Sequence, residues 1–419
     1  MTARAFRNST LAPGSMPLLG SSILARLPLA MFSIALLVHA QHLTGSFAIA
    51  GLVSGAYAVG SAASAPLLGG IVDRGGQTRV LIAGAIITAV VLVVNGLLPP
   101  STPSLLLVAL GAATGLSTPP LAACVRTLLP TIATKPSQLP ELFALESTVL
   151  ELTFVAGPPL ALGLGAVWSS GAALVLSGSV MLAGTLVFAA QPASRSWRPD
   201  RRARRVLGGS LRSPAMRTLV AILIGTGAVF GATEVGVTAA AHALGSSAAA
   251  GPLLGLWGLG SLLGGIAVTR LGGGARSGRG LTALLAALAL GHGALILATG
   301  SVLALAVVMT VAGATIAPTV SSIYAMVDTA APAGTQTEAF SWLITASLVG
   351  GSLGSAAAGA LAQSAGAPWA FALVAVAGGL AVLVALLRSH DLHMATRDGE
   401  RPSARDHTED ACISSPVLA

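Results

Sequence analysis

The chain has 419 residues and a formal net charge of +8, yet only 9% of its residues are charged while 54% are hydrophobic. A typical soluble domain is roughly one-quarter charged, so this composition, with a mean hydropathy of +0.85, excludes a protein whose whole surface faces water. The basic residues lie between apolar segments rather than on a patch interleaved with aromatics, which excludes nucleic-acid binding, and the two cysteines, Cys124 and Cys412, provide neither a disulfide framework nor metal-ligand spacing.

A helix needs about 20 apolar residues to cross the hydrocarbon core of a bilayer. Polar breaks, Gly/Pro clusters and charges punctuate the apolar stretches into twelve predicted spans. The first half carries spans at 22–44, 47–71, 80–98, 104–129, 140–165 and 171–190, and the second at 216–240, 247–271, 280–299, 302–327, 338–363 and 368–388. Span one follows Arg4 and Arg7 and ends in the A-x-A-like Val38-His39-Ala40. It exceeds the 7 to 15 apolar residues, roughly, of a secretory signal and reads as a retained helix. The expected fold is an all-α membrane protein, divided into a six-helix bundle (1–192), a basic linker (193–215), a second six-helix bundle (216–388) and a disordered tail (389–419).

Charge placement gives this division a sidedness. Arg74 and Arg79 follow span two, Arg126 and Lys135 flank the end of span four, Arg195 to Arg217 follow span six, and Arg270, Arg276 and Arg279 follow span eight. The odd-numbered loops have no Lys or Arg. Basic loops stay on the cytoplasmic side, so the even loops, the linker and both termini are expected on the cytoplasmic side of the cell membrane, with the linker attracted to anionic lipids. The connection after span ten breaks the pattern, with Asp328 and Glu338 but no base. Half a chain apart, Gly115-Leu-Ser-Thr-Pro-Pro and Gly313-Ala-Thr-Ile-Ala-Pro look like copies of one segment, as do Glu141-Leu-Phe-Ala-Leu and Glu338-Ala-Phe-Ser-Trp. Parallel repeats with a central site are a known transporter architecture.

After span two runs Gly69-Gly70-Ile71-Val72-Asp73-Arg74-Gly75-Gly76-Gln77-Thr78-Arg79. Glycines allow a tight turn and close helix approach, and Asp73 is suited to accept hydrogen bonds at a helix N-terminus or to pair with a base, which would latch one conformation. The segment resembles the signature loop of the major facilitator superfamily, G-x-x-x-D-R-x-G-x-x-R. In this reading Gly69, Asp73, Arg74, Gly76 and Arg79 form the latch motif. The resemblance implies two six-helix bundles working by alternating access, with spans one, four, seven and ten lining the cavity. The corresponding loop after span eight has Thr269 where the acid would be, so the latch is expected to be asymmetric. In span five, Gly157-Pro158-Pro159 resembles in part the span-five motif of the family's drug:proton antiporters, and Pro158 also predicts a helix kink.

Ionisable groups deep in a membrane are costly and usually face a cavity or a partner. Glu151 lies about 16 Å into span five at 1.5 Å per residue, near the midplane, and is the first candidate for a proton carrier or substrate contact. Glu234 in span seven and His39 in span one are the next candidates, both in the outer half of the membrane. His292 lies on a span expected to be peripheral. Arg126 and Glu146 sit at similar depth on consecutive spans and are expected to form a structural ion pair. Trp168 and Trp369 at outer span ends are expected to be interfacial anchors.

No P-loop, HExxH or Asp-rich cluster occurs, so no cofactor, metal or enzymatic activity is expected and the energy source is an ion gradient. The expected function is proton-coupled export of a small amphipathic molecule by a monomer, whose partners are that substrate, the proton gradient and membrane lipids. The alternatives are a nutrient symporter working in the uptake direction and a non-transporting receptor or scaffold.

Overall fold

A computed structural model describes residues 15–135, 138–198, 209–246, 249–271, 273–275 and 277–392. The centre of the basic linker, Arg276 and the tail from residue 393 lie outside the described residues, as do the side chains of Glu151 and Pro158 within their helix. The first half comprises α1 (Ser15–Thr44), α2 (Phe47–Gly75), α3 (Gln77–Gly96), α4 (Ser104–Ser117), α5 (Leu121–Ile132), α6 (Leu139–Val167) and α7 (Ser170–Ala190), followed by a short α8 (Pro192–Ser196). The second half comprises α9 (Pro214–Ala243), α10 (Ala250–Arg270), α11 (Gly278–Gly293), α12 (Val302–Gly313), α13 (Ile316–Ala330), α14 (Gln336–Ala365) and α15 (Ala367–Leu387). Spans four and ten are each two helices, α4–α5 and α12–α13, giving twelve membrane helices in two bundles. The first helix starts at Ser15 rather than at residue 22, and α9 extends past both expected ends, to Pro214 and Ala243.

Local chemistry fixes several helix starts. Ser169, Ser213, Ser277 and Ser301 each accept a hydrogen bond from the backbone N–H three residues on, capping α7, α9, α11 and α12. Between α2 and α3 the chain turns at Gly76, whose φ of +93° favours glycine, while its N–H donates to the Val72 carbonyl at 2.9 Å. This is the structural requirement behind the second glycine of the signature loop.

The two halves repeat one packing scheme. In the first, α1 and α3 pack on α7 and α2 packs on α4; in the second, α9 and α11 pack on α15 and α10 packs on α12. The repeated segments Gly115 to Pro120 and Gly313 to Pro318 lie at the two helix breaks. At each break the glycine lies directly against a neighbouring backbone: a Cβ at Gly115 would run into the Tyr57 carbonyl, and one at Gly313 into the Trp257 carbonyl. Helix interruption and close approach explain why this segment is legible twice.

The buried side chains form three cores, and their arrangement defines the shape of the molecule. One joins both halves at the end that carries the signature loop, hereafter the motif end: Val72, Leu121 and Phe143 pack with Met216, Tyr324 and Phe340. The other two are separate, one around Phe32, Leu92 and Leu174 of the first bundle and one around Val237, Leu295 and Phe371 of the second. The bundles are thus fused at the motif end and have independent cores toward the other. Large apolar side chains such as Leu52, Val59, Leu105, Leu290 and Leu303 cover the outside, a surface compatible with lipid and far too apolar for water.

Candidate functional site

At the motif end, the last turns of α2 meet the first turn of α14 across the joint. The α14 N-terminus has no side-chain cap of its own. Asp73 supplies one from the other bundle: its carboxylate accepts from the Thr337 N–H at 3.1 Å and the Glu338 N–H at 2.8 Å. Free N–H groups and the helix dipole both favour an anion there. The approach requires Gly69, where a Cβ would sit 2.5 Å from Ser341 Oγ and 2.9 Å from the Thr337 carbonyl oxygen. Flanking bonds extend the seam, from Thr127 to Thr337 between hydroxyls at 3.1 Å and from the Thr345 hydroxyl to the Ala62 carbonyl at 2.9 Å. The buried Glu338 carboxylate in turn accepts from the Ser210 hydroxyl at 2.7 Å, so the end of the linker is tied to the same helix start. Arg74 is half-buried and Arg79 exposed, and neither forms an ion pair among the described residues.

Deeper in the shared core lies a charge cluster. Arg126 Nε donates to Glu146 Oε2 at 3.0 Å, and Arg26 of α1 donates through Nη1 to Glu146 Oε1. All three side chains are at most 2% exposed. The Arg126 guanidinium carbon lies 3.7 Å from the ring centroid of Tyr324, which comes from α13 of the second bundle. Tyr324 and Phe143 each pack against Phe340 of α14, with ring centroids 6.1 Å and 5.8 Å apart. The cluster therefore binds α1, α5 and α6 together and touches the opposite bundle through an aromatic face.

At the far end, Glu234, Thr238 and His242 of α9 line a cleft of about 710 Å³ with Leu254 of α10 and Gln363 of α14. Glu234 is exposed in this cleft. His39 is not near it: the ring is 4% exposed, with Nε2 3.0 Å from the Asn95 carbonyl oxygen and Nδ1 3.0 Å from Ser170 Oγ. It fastens α1 to α3 and α7. His292 is equally enclosed, accepting from Trp257 Nε1 at 2.9 Å.

The sequence matches the family model described as Major Facilitator Superfamily over residues 18–291 and 235–411. The chain belongs to the Major Facilitator Superfamily. Solved structures of the same fold include a bacterial homologue of the iron transporter ferroportin in an outward-facing state, 16% identical, covering 90% of this chain and 99% of that one with a TM-score of 0.72. Another is the human organic anion transporter MFSD10 (TETRAN), 18% identical, covering 90% of this chain and all of that one, TM-score 0.71. No curated protein sequence matches. The protein is accordingly a multi-pass secondary transporter and not an enzyme.

Within this superfamily frame, the residues singled out in the sequence fall at separate places. Gly69 and Asp73 build the seam and Gly76 makes the α2–α3 turn beside it; Arg126 and Glu146 lie in the ion cluster; Glu234 faces the cleft; His39 is enclosed among helices; Gly157 packs against Ala30 of α1. Sequence reasoning missed Arg26, Tyr324 and the α14 start at Thr337. Arg26 had a visible signal, a base well inside an apolar stretch, which is as informative as an acid there. Tyr324 had none, because its role comes from the packing of the opposite bundle.

Proposed function

We propose that the protein is a proton-coupled exporter of a small amphipathic compound, working by alternating access in a cell membrane with its motif end and termini in the cytoplasm. The observation that carries this reading is the seam itself: one core and one cross-bundle helix cap close the motif end, while the bundles keep independent cores toward the other. Two rigid bodies joined at one end only can rock about the joint, and the capping bond between Asp73 and α14 is of a kind that breaks and reforms as a unit. The arginines clustered in the even loops support the cytoplasmic assignment of that end.

Glu151 on α6 and Glu234, exposed in the cleft, are the candidate proton carriers. Similar structures include a homologue of an iron transporter and a transporter of organic anions, so fold likeness leaves the substrate to this chain's own side chains. Substrate-driven proton flux in reconstituted vesicles tests the proposal. Proton movement opposite to substrate, lost in Glu234→Gln or Glu151→Gln, is the expected result. Movement in the same direction favours uptake, and flux unchanged by both substitutions contradicts carboxylate coupling.

A further inference from the structure

The Arg26, Glu146 and Arg126 cluster is not electrically balanced. Two guanidinium groups share one carboxylate, and all three are enclosed, leaving one positive charge without a counter-charge among the partners described. Burying such a surplus is strongly unfavourable unless something answers it. The hydrogen bonding is unbalanced in the same way. Apart from the Tyr324 side chain against Arg126, the buried Arg26 Nε and Nη2 and Arg126 Nη1 and Nη2 have no hydrogen-bond partner among the described residues. On Arg126, which uses Nε for Glu146, the free pair is the end of the guanidinium. On Arg26, which uses Nη1, the free pair is the side edge. Each is a complete two-pronged fork of the kind that receives a carboxylate through parallel bonds.

The cover over this site belongs to the other bundle. The Tyr324 ring lies on the Arg126 guanidinium, and Phe340 packs against both Tyr324 and Phe143. A cation on an aromatic face is a partial substitute for an anion, and more so when desolvated. Separation of the bundles at the motif end would carry Tyr324 and Phe340 away together and uncover the cluster from the Arg126 side, with Arg26 joined to it through Glu146.

We propose that Arg26 and Arg126 bind a carboxylate on the transported compound when the motif end opens, and that the Tyr324 ring takes the place of that carboxylate when it closes. The surplus of one charge matches a monoanion, and Phe143, which stays with the arginines in the first bundle when the cover leaves, matches an apolar body. This rests on the alternating-access reading above and adds the substrate class to it.

The test uses the full-length protein in lipid nanodiscs and measures binding of octanoate, benzoate, octylamine and octanol. Alkylation of Cys124, buried in the shared core and three residues before the seam residue Thr127, is followed in parallel in a Cys412→Ser background as a reporter of motif-end opening. The expected result is binding of a carboxylate probe but not of the amine or alcohol, together with slow Cys124 alkylation that the bound carboxylate alters. Arg26→Gln leaves a neutral Arg126 and Glu146 pair, so it should fold and should weaken carboxylate binding by about tenfold or more, the equivalent of one charge-assisted pair. Arg26→Lys keeps the charge but loses the fork, and should weaken binding to a smaller extent. Carboxylate binding that is absent, is matched by octylamine, or is unaffected by both Arg26 variants overturns the proposal. A Cys124 that is never alkylated overturns the alternating-access reading instead, whatever the probes do.

Discussion

The two ends of the molecule are built on opposite principles. At the motif end, polar groups are buried and joined across the bundles: Asp73 to the α14 amides, Thr127 to Thr337, Arg126 to the face of Tyr324. At the other end the polar groups either stay inside one bundle, as His39 does with Asn95 and Ser170, or stand exposed in a cleft, as Glu234 does. A seam of directional bonds has two discrete states, made and unmade, whereas a cleft lined by one bundle has nothing to break. On the proposed alternating-access reading, the difference would put the switching element at one end and the groups that exchange protons with water at the other.

Substitutions at the two ends should therefore differ in kind as well as in size. The largest effect is expected from Glu146→Gln, which leaves two enclosed arginines without their only described carboxylate. Loss of about 3–5 kcal/mol should appear as a sharp fall in unfolding temperature in detergent and in membrane abundance. Normal abundance and an unchanged unfolding temperature would mean that another acid balances the cluster.

Asp73→Asn should come next. The amide keeps one acceptor but loses the charge-assisted character of both bonds, worth roughly 1.5–3 kcal/mol in such pairs. Because the missing energy belongs to closure rather than to either bundle, transport should fall while abundance stays close to wild type. A protein that disappears from the membrane would move Asp73 from switching to folding.

Glu234→Gln should change stability by no more than about 0.5 kcal/mol, as expected for an exposed position, yet abolish substrate-driven proton flux. Unaltered flux would leave Glu151 as the remaining candidate. Least of all is expected from Thr269→Ala. Thr269 occupies the place of Asp73 in the second repeat, but among the described residues its hydroxyl bonds only the Gly265 carbonyl of its own helix, at 2.8 Å. Transport and stability should match wild type, and a defect as large as that of Asp73→Asn would refute the asymmetry between the two loops.

Much of the fold was legible because the membrane imposes it. Span lengths, the division into halves and the repeat at Gly115 and Gly313 follow from apolar run length, proline and close-packed glycine, all of which are local in sequence. The turn at Gly76 was legible for the same reason. The site was legible only in part. Asp73 could be read as a residue that caps a helix, but not which helix, because α14 lies in the other half of the chain. Glu146 and Arg126 stood out as charges at similar depth on adjacent spans. The third member, Arg26, comes from α1, and the covering ring from α13, so the surplus charge emerged only when distant segments were brought together. His39 shows the converse: a lone polar residue in an apolar span looks functional until both ring nitrogens are found within 3.0 Å of neighbouring oxygens.

The central claim is that the capped seam between α2 and α14 holds the motif end closed. The most direct measurement is the distance distribution between spin labels at Lys135→Cys and Thr329→Cys, on opposite bundles at that end, in protein with Cys124 and Cys412 replaced and with Asp73 either intact or substituted by asparagine. The account predicts a dominant short distance when Asp73 is intact and a substantial longer population in the Asp73→Asn protein, both shifting when substrate is added. Identical distributions for the two proteins would contradict it.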